Sequence, residues 1–155
     1  MTDVASILRT KGSQVYTIDE NASVFEAIQK MVEHDVGSLV VVSGHAPVGI
    51  LTERHYLQRV ALEGRTSKTT RAFEIMSREI VCVTPETGID VCMNLMTRNR
   101  SRQLPVVSNG RLSGIVSIGD VVKRLAKEHR QEIQYLTDYI QGNTITEATW
   151  TAAVP

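Results

Sequence analysis

Hydrophobic residues along this chain alternate between a strand-like and a helix-like phase, and the same succession of phases is run through twice. Val15 to Ile18 reads as a short strand. Asp19-Glu20-Asn21-Ala22-Ser23 then offers several side chains able to cap a helix. Val24, Ala27, Ile28 and Met31 follow at helical spacing, with Glu26, Lys30 and Glu33 left for water, which predicts a one-sided helix. The run Leu39-Val40-Val41-Val42 is continuous rather than alternating, as expected of a strand covered on both faces. Ser43 to Pro47 turns the chain into a strand over Val48 to Thr52, and Arg54 to Leu62 predicts a second helix. The unit is β-α-β-β-α.

Moving 65 residues along gives Ile89, Cys92, Met93 and Met96 as an apolar stripe in the same phase, then Leu104-Pro105-Val106-Val107 for the central strand. Gly49-Ile50-Leu51-Thr52-Glu53-Arg54-His55 likewise returns as Gly114-Ile115-Val116-Ser117-Ile118-Gly119-Asp120. A fixed offset of this kind marks one unit written twice. Pro105 has no N–H to give to a ladder, so its strand is expected at an edge or to begin there. Asn109-Gly110 is a strong hairpin signal. The expected divisions are an N-terminal helix over 1–14, a first unit over 15–63, a linker over 64–72, a second unit over 73–128, a C-terminal helix over 129–142 and a flexible tail over 143–155. Two stripes fall outside the repeat: Val4, Ile7 and Leu8 before Gly12, and Ile133, Leu136 and Ile140 before Gly142. Each needs a cover, and the expectation is that they pack together and extend a contact between two copies of the chain.

Composition narrows the chemistry. The 155 residues carry 17 basic and 17 acidic side chains, so there is no overall electrostatic footprint for coating nucleic acid or anionic membrane. Arg98, Arg100 and Arg102 form a local basic run, read either as a solvated helix end or as anion partners. Cys82 and Cys92 fit neither a CxxC nor a zinc spacing and are expected to be reduced, buried and apolar in role. His34, His45 and His129 have no partners at ligand spacing, so no metal is expected. The start of the chain has no basic region ahead of an apolar run, and a cytoplasmic protein is expected.

The two strand-to-helix turns carry the candidate chemistry. A single unit cannot cover both faces of its sheet, so two units are expected to pack with their sheets and these turns facing one another. Clefts then form at the seam. Ser117-x-x-Asp120 is a capping box on one reading; on the other, a carboxylate there accepts two hydrogen bonds from a cis-diol such as ribose. Gly119 lets a ligand approach the backbone. In the first unit Thr52 keeps the hydroxyl and His55 replaces the acid, which loses the bidentate grip.

The duplicated β-α-β-β-α pattern, with Gly-Ile-Leu-Thr-Glu-Arg-His in one copy and Leu-Pro-Val-Val, Asn-Gly and Gly-Ile-Val-Ser-Ile-Gly-Asp in the other, resembles a cystathionine-β-synthase (CBS) domain pair, also called a Bateman module. The resemblance spans roughly Ser6 to Ile140 and is to small stand-alone bacterial proteins. It implies an α/β (α+β) fold of tandem repeats. It also implies a non-catalytic sensor that takes an adenosyl ligand (AMP, ADP, ATP, NAD or S-adenosylmethionine) without a required cofactor, and a disc-like homodimer acting on a target protein the sequence does not name. By the same resemblance the main site comprises Lys11, Tyr16, Gly37, Ser38, Ser117, Ile118, Gly119 and Asp120, with Tyr16 contributing its backbone. A second, weaker site comprises Thr52, His55, Cys82, Arg102 and Gln103, with Arg102 as phosphate partner. The alternatives are an enzyme acting on nucleotides, for which no acid–base pair or activated nucleophile is visible, and a nucleic-acid binder using the arginines of the second unit.

Overall fold

The fold was analysed in a computed structural model, which describes residues 2–130 together with 136, 137 and 140. The chain opens with α1 (Val4–Lys11), capped by the Asp3 carboxylate and ended by Gly12 at φ 92°. Then come β1 (Thr17–Asp19), α2 (Val24–His34), β2 (Ser38–Ser43), β3 (Ala46–Thr52) and α3 (Glu53–Tyr56), which widens into a π-helical turn over Leu57–Ala61. The short helix α4 (Ala72–Ile75) has no counterpart in the sequence reading. It is followed by α5 (Ile89–Asn99), β4 (Gln103–Ser108), β5 (Arg111–Ser117) and α6 (Ile118–Glu128).

The 65-residue offset survives in backbone detail. β2 and β3 map onto β4 and β5 end for end, and both pairs are antiparallel with a bulge after the third residue of the apolar run, at Val41/Val42 and Val106/Val107. α2 and α5 both end on a residue in the left-handed region, Asp35 at φ 52° and Arg100 at φ 50°. Asn109 and Gly110 both take positive φ, as a two-residue hairpin demands.

The repeat breaks at the first strand of the second unit. In the first unit the Val40 N–H donates to the Tyr16 carbonyl at 3.2 Å, and β1 pairs with β2 in parallel. The residue corresponding to Val40 is Pro105, which has no N–H. What remains is an isolated bridge between Val83 and Val106, so β4 and β5 form a two-stranded sheet with both strands at an edge. Cys82, beside that bridge, is consequently exposed rather than buried, while Cys92 is buried as expected; neither is in a disulfide. The protein around both thiols still desolvates them, which raises their pKa.

The helix ahead of each unit covers the other unit. The N–H groups of Val4 and Ala5 donate to Thr87 and Pro85, while those of Ala72 and Phe73 donate to Ala22 and Glu20. Val4 and Ile7 belong to the core built from α5, α6, β4 and β5; Ala72, Ile75 and Met76 belong to the core of α2, β2 and β3. The expectation that Val4, Ile7 and Leu8 face a second copy is therefore wrong, because Val4 is 0% and Ile7 5% exposed within the single chain, and Leu8 packs on the same core. Its proposed partner Ile133 lies outside the described residues, and Leu136 and Ile140 are about half exposed.

Candidate functional site

The two units meet with β3 toward β5, and the Ser38 hydroxyl donates to the Gln103 side-chain oxygen at 2.7 Å, joining positions 65 residues apart across the pseudo-axis. Beside that contact a cavity of about 630 Å³ opens between the units. Gly37, Ser38, Thr52 and His55 of the first unit and Arg102 and Gln103 of the second line it. Gly37 and Ser38, expected beside Asp120, thus stand with Thr52 and His55, and Cys82 is not part of this wall. Glu53, Arg54, Glu79 and Arg100 also line the cavity and were missed as site residues. Glu53 and Arg54 were legible as the two positions inside the Thr52-x-x-His55 turn. Arg100, read as part of a solvated helix end, is exposed but sits at the cavity wall because its left-handed cap turns the chain from α5 toward β4.

Both turns are capping boxes. The Ser117 Oγ accepts from the Asp120 N–H at 3.2 Å, and Asp120 Oδ2 accepts from the Ser117 N–H at 2.8 Å. The Lys11 ammonium lies 2.6 Å from that same oxygen. Burial by itself would raise the Asp120 pKa, but the bonds from Lys11 and Ser117 outweigh it and hold the carboxyl below its ordinary value. Asp120 is therefore ionised and already engaged. It opens on a smaller cavity of about 310 Å³ between α1 and α6, lined by Ile7, Thr10, Lys11, Lys123, Arg124 and Lys127 as well. Ser117 lines neither cavity. The Ile118 N–H is taken by the Arg102 carbonyl at 2.9 Å, and Gly119 has room for a Cβ. Tyr16 stacks its ring on His34 at 4.2 Å between centroids. Among the described residues no group of three or more His, Cys, Asp or Glu side chains is placed to hold a metal ion.

In the first unit His55 does the work of the acid in the cap: its Nδ1 accepts from the Thr52 N–H at 3.2 Å, while its own N–H donates to the Thr52 hydroxyl at 3.2 Å. Only a ring without a proton on Nδ1 can accept that bond. Burial, then the positive charge of Arg59, lowers the His55 pKa from 6.5. The unfolded chain therefore takes up this proton at a higher pH than the folded one. The contribution to stability is complete above about 6.5 and falls as pH drops toward the lowered folded value. His55→Asp restores a carboxylate to the first turn of α3 and should remove this pH dependence. Urea unfolding at pH 5.5 and 8 is expected to show the variant gaining a few tenths to about 1 kcal/mol on the wild type at the lower pH. An equal pH dependence in both proteins would show that His55 is not the group responsible.

The chain can be placed by its relatives. The CBS domain sequence profile matches residues 4–62 and again 72–127. A CBS-domain protein from Burkholderia ambifaria superimposes with a TM-score of 0.74 at 44% identity, covering 82% of this chain and 96% of that one. The CBS domain pair of protein MJ0100, solved with 5′-methylthioadenosine and S-adenosyl-L-methionine, shares the fold at a TM-score of 0.70 and 24% identity, over 83% of this chain and 98% of that one. The CBS domain-containing protein CBSX3, mitochondrial, of Arabidopsis thaliana is 41% identical over 152 residues, 91% of this chain and 73% of its own length. Two profile matches in tandem, on two units that share caps, bulges and hairpins at one fixed offset, place this chain in the CBS-domain family as a CBS pair.

Proposed function

We propose that this CBS pair is a non-catalytic regulatory module that takes an adenine nucleotide or related adenosyl compound at its seam and signals by a change in how the two units are held. The observation carrying this reading is the cavity of about 630 Å³ to which both units contribute corresponding residues, Gly37 and Ser38 from one and Arg102 and Gln103 from the other. That volume suits a nucleotide. Guanidinium groups at Arg54, Arg100 and Arg102 suit its phosphate. The carboxylates of Glu53 and Glu79 are acceptors for a diol where His55 is not. The ligands of the MJ0100 pair, 5′-methylthioadenosine and S-adenosyl-L-methionine, support the same class, since both carry an adenosyl group on a protein of this fold. In the twin cleft Asp120 offers the diol-binding acid once Lys11 is displaced. A homodimer is part of the proposal: Val32, Leu57 and Leu62 stay 76%, 55% and 82% exposed in the single chain, apolar area that a second copy would cover. No helix among the described residues is long and apolar enough to cross a membrane, and we place the module in the cytoplasm.

Thermal melting against AMP, ADP, ATP, NAD and S-adenosylmethionine tests the reading. A ligand at a hundredfold excess over its Kd stabilises the fold by about 2.7 kcal/mol, which in a chain of this size raises Tm by about 5–10 °C. Arg102→Ala should reduce the shift due to the larger cavity, and Asp120→Ala the shift due to its twin. If none of the five compounds moves Tm, the reading fails.

A further inference from the structure

The cavity between α1 and α6 has a wall out of keeping with a chain of zero net charge. Lys11, Lys123, Arg124 and Lys127 surround it, and Asp120 is its one carboxylate. Asp120, Lys123, Arg124 and Lys127 recur at three and four residue steps along α6, so helical periodicity puts them on one face. α1 brings Lys11 to the same place. Such a concentration of like charge is unfavourable without a counter-charge, and the two carboxylates nearby, Asp120 and Glu128, are each already engaged. Asp120 is held by Lys11 and the Ser117 N–H. The Glu128 carboxylate accepts from the Thr2 hydroxyl and stands 3.9 Å from the Arg124 Nε, beyond hydrogen-bond reach. Lys123 and Lys127 have no ion-pair partner among the described residues. Arg124 Nε is buried and has no hydrogen-bond partner among the described residues, an unmet donor that would be costly unless something fills the cavity.

We infer that this cavity is a site for an oligophosphate chain, and that the nucleotide bound beside Asp120 is therefore a di- or triphosphate in preference to a monophosphate or to the cationic S-adenosylmethionine. This rests on the reading that a nucleoside occupies the cleft at Asp120. As the diol takes the Asp120 oxygens, it displaces Lys11, whose ammonium then joins Lys123, Arg124 and Lys127 in meeting the phosphates. Each additional phosphate brings at least one more negative charge against this wall, and guanidinium and ammonium donors bind phosphate oxygens through charge-assisted bonds. A monophosphate anchored at Asp120 reaches fewer of them. Adenosine reaches none.

Calorimetric titration with adenosine, AMP, ADP, ATP, S-adenosylmethionine and inorganic tripolyphosphate, on the wild type and on Lys123→Gln/Lys127→Gln, tests the inference. Both substituted side chains are on the helix surface, and a circular-dichroism melt without ligand checks that the variant folds. At moderate ionic strength ATP should bind at least tenfold more tightly than AMP. The double variant should lose at least that factor for ATP and for tripolyphosphate while its affinity for AMP changes less than threefold. Equal affinity for ATP and AMP, or an ATP-to-AMP ratio that the double variant leaves unchanged, overturns the phosphate site while leaving the nucleotide-sensor reading standing. Tripolyphosphate binding that needs the two lysines, with no binding of any adenosyl compound, keeps the phosphate site and overturns the sensor reading. No binding of either class overturns both.

Discussion

Deleting residues 2–12 should melt the second half of the molecule, 80 residues or so away in sequence, and spare most of the first. The reason is the exchange of covering helices. Val4 and Ile7 are buried among Val83, Ile89, Cys92, Met96, Leu104, Val106, Val116 and Val121, with Leu8 packed on the same cluster. At about 1.5–3 kcal/mol for each of three apolar side chains taken from water, α1 contributes about 4.5–9 kcal/mol, comparable with the whole stability of an ordinary domain. The bonds from Val4 and Ala5 to Thr87 and Pro85 are lost as well. The first half keeps its own cover because α4 is untouched. Amide hydrogen exchange should show protection collapsing over α5, β4, β5 and α6 and surviving over α2, β2 and β3. Should the truncated chain express too poorly, Ile7→Ala gives a milder version, costing about 2–5 kcal/mol with the same regional bias. Protection that falls uniformly, or mainly in the first half, would contradict the assignment of α1 to the second core.

Much of this was legible in the sequence, and the parts that were not share a physical cause. The strands, helices and hairpins could be read because each depends on neighbours a few residues apart: the stripe of α2, the cap at Ser23, the Asn109-Gly110 turn, the missing donor of Pro105. The duplication was readable because its offset never slips. What periodicity cannot say is which distant surface a stripe will meet. The apolar face over Val4, Ile7 and Leu8 was plain, and its partner was not, because a helix of eight residues packs equally well by pattern on either unit. The same holds at the site. The carboxylate at Asp120 and its replacement by His55 were visible as residue types. That Gly37 and Ser38 share a cavity with Thr52 and His55 rather than with Asp120 depends on how the two sheets meet. So does the gathering of Glu79 with Glu53 and Arg100. The same division shapes the two cavities: local sequence specifies two similar turns, and their packing makes two unlike clefts, one walled by both units and one walled by α1 and α6.

The consequence is measurable at the two glycines that open the repeated motif. Gly49→Ala should destabilise the protein by about 3 kcal/mol and Gly114→Ala by about 1 kcal/mol or less, although the two occupy the same place in the repeat. A Cβ at Gly49 would stand 2.5 Å from the Met76 Sδ and 2.7 Å from the Ser77 carbonyl oxygen. That oxygen cannot retreat freely, since Ile50 and Ser77 exchange backbone hydrogen bonds of 3.0 and 2.9 Å. Accommodating a methyl group means parting this bridge and moving the exit of α4, and with it the cover of the first core. The atoms nearest a Cβ at Gly114 would be those of the Leu8 side chain, its two methyl carbons at 2.9 Å. A leucine side chain can change rotamer, and the loss of glycine freedom in the unfolded chain returns about 0.4–1 kcal/mol. Neither glycine has positive φ, so backbone strain does not confuse the comparison. Urea unfolding of the two variants measures the difference directly. Equal costs would mean that the two glycines meet equivalent covers, which is incompatible with α4 presenting backbone to one and α1 presenting a side chain to the other.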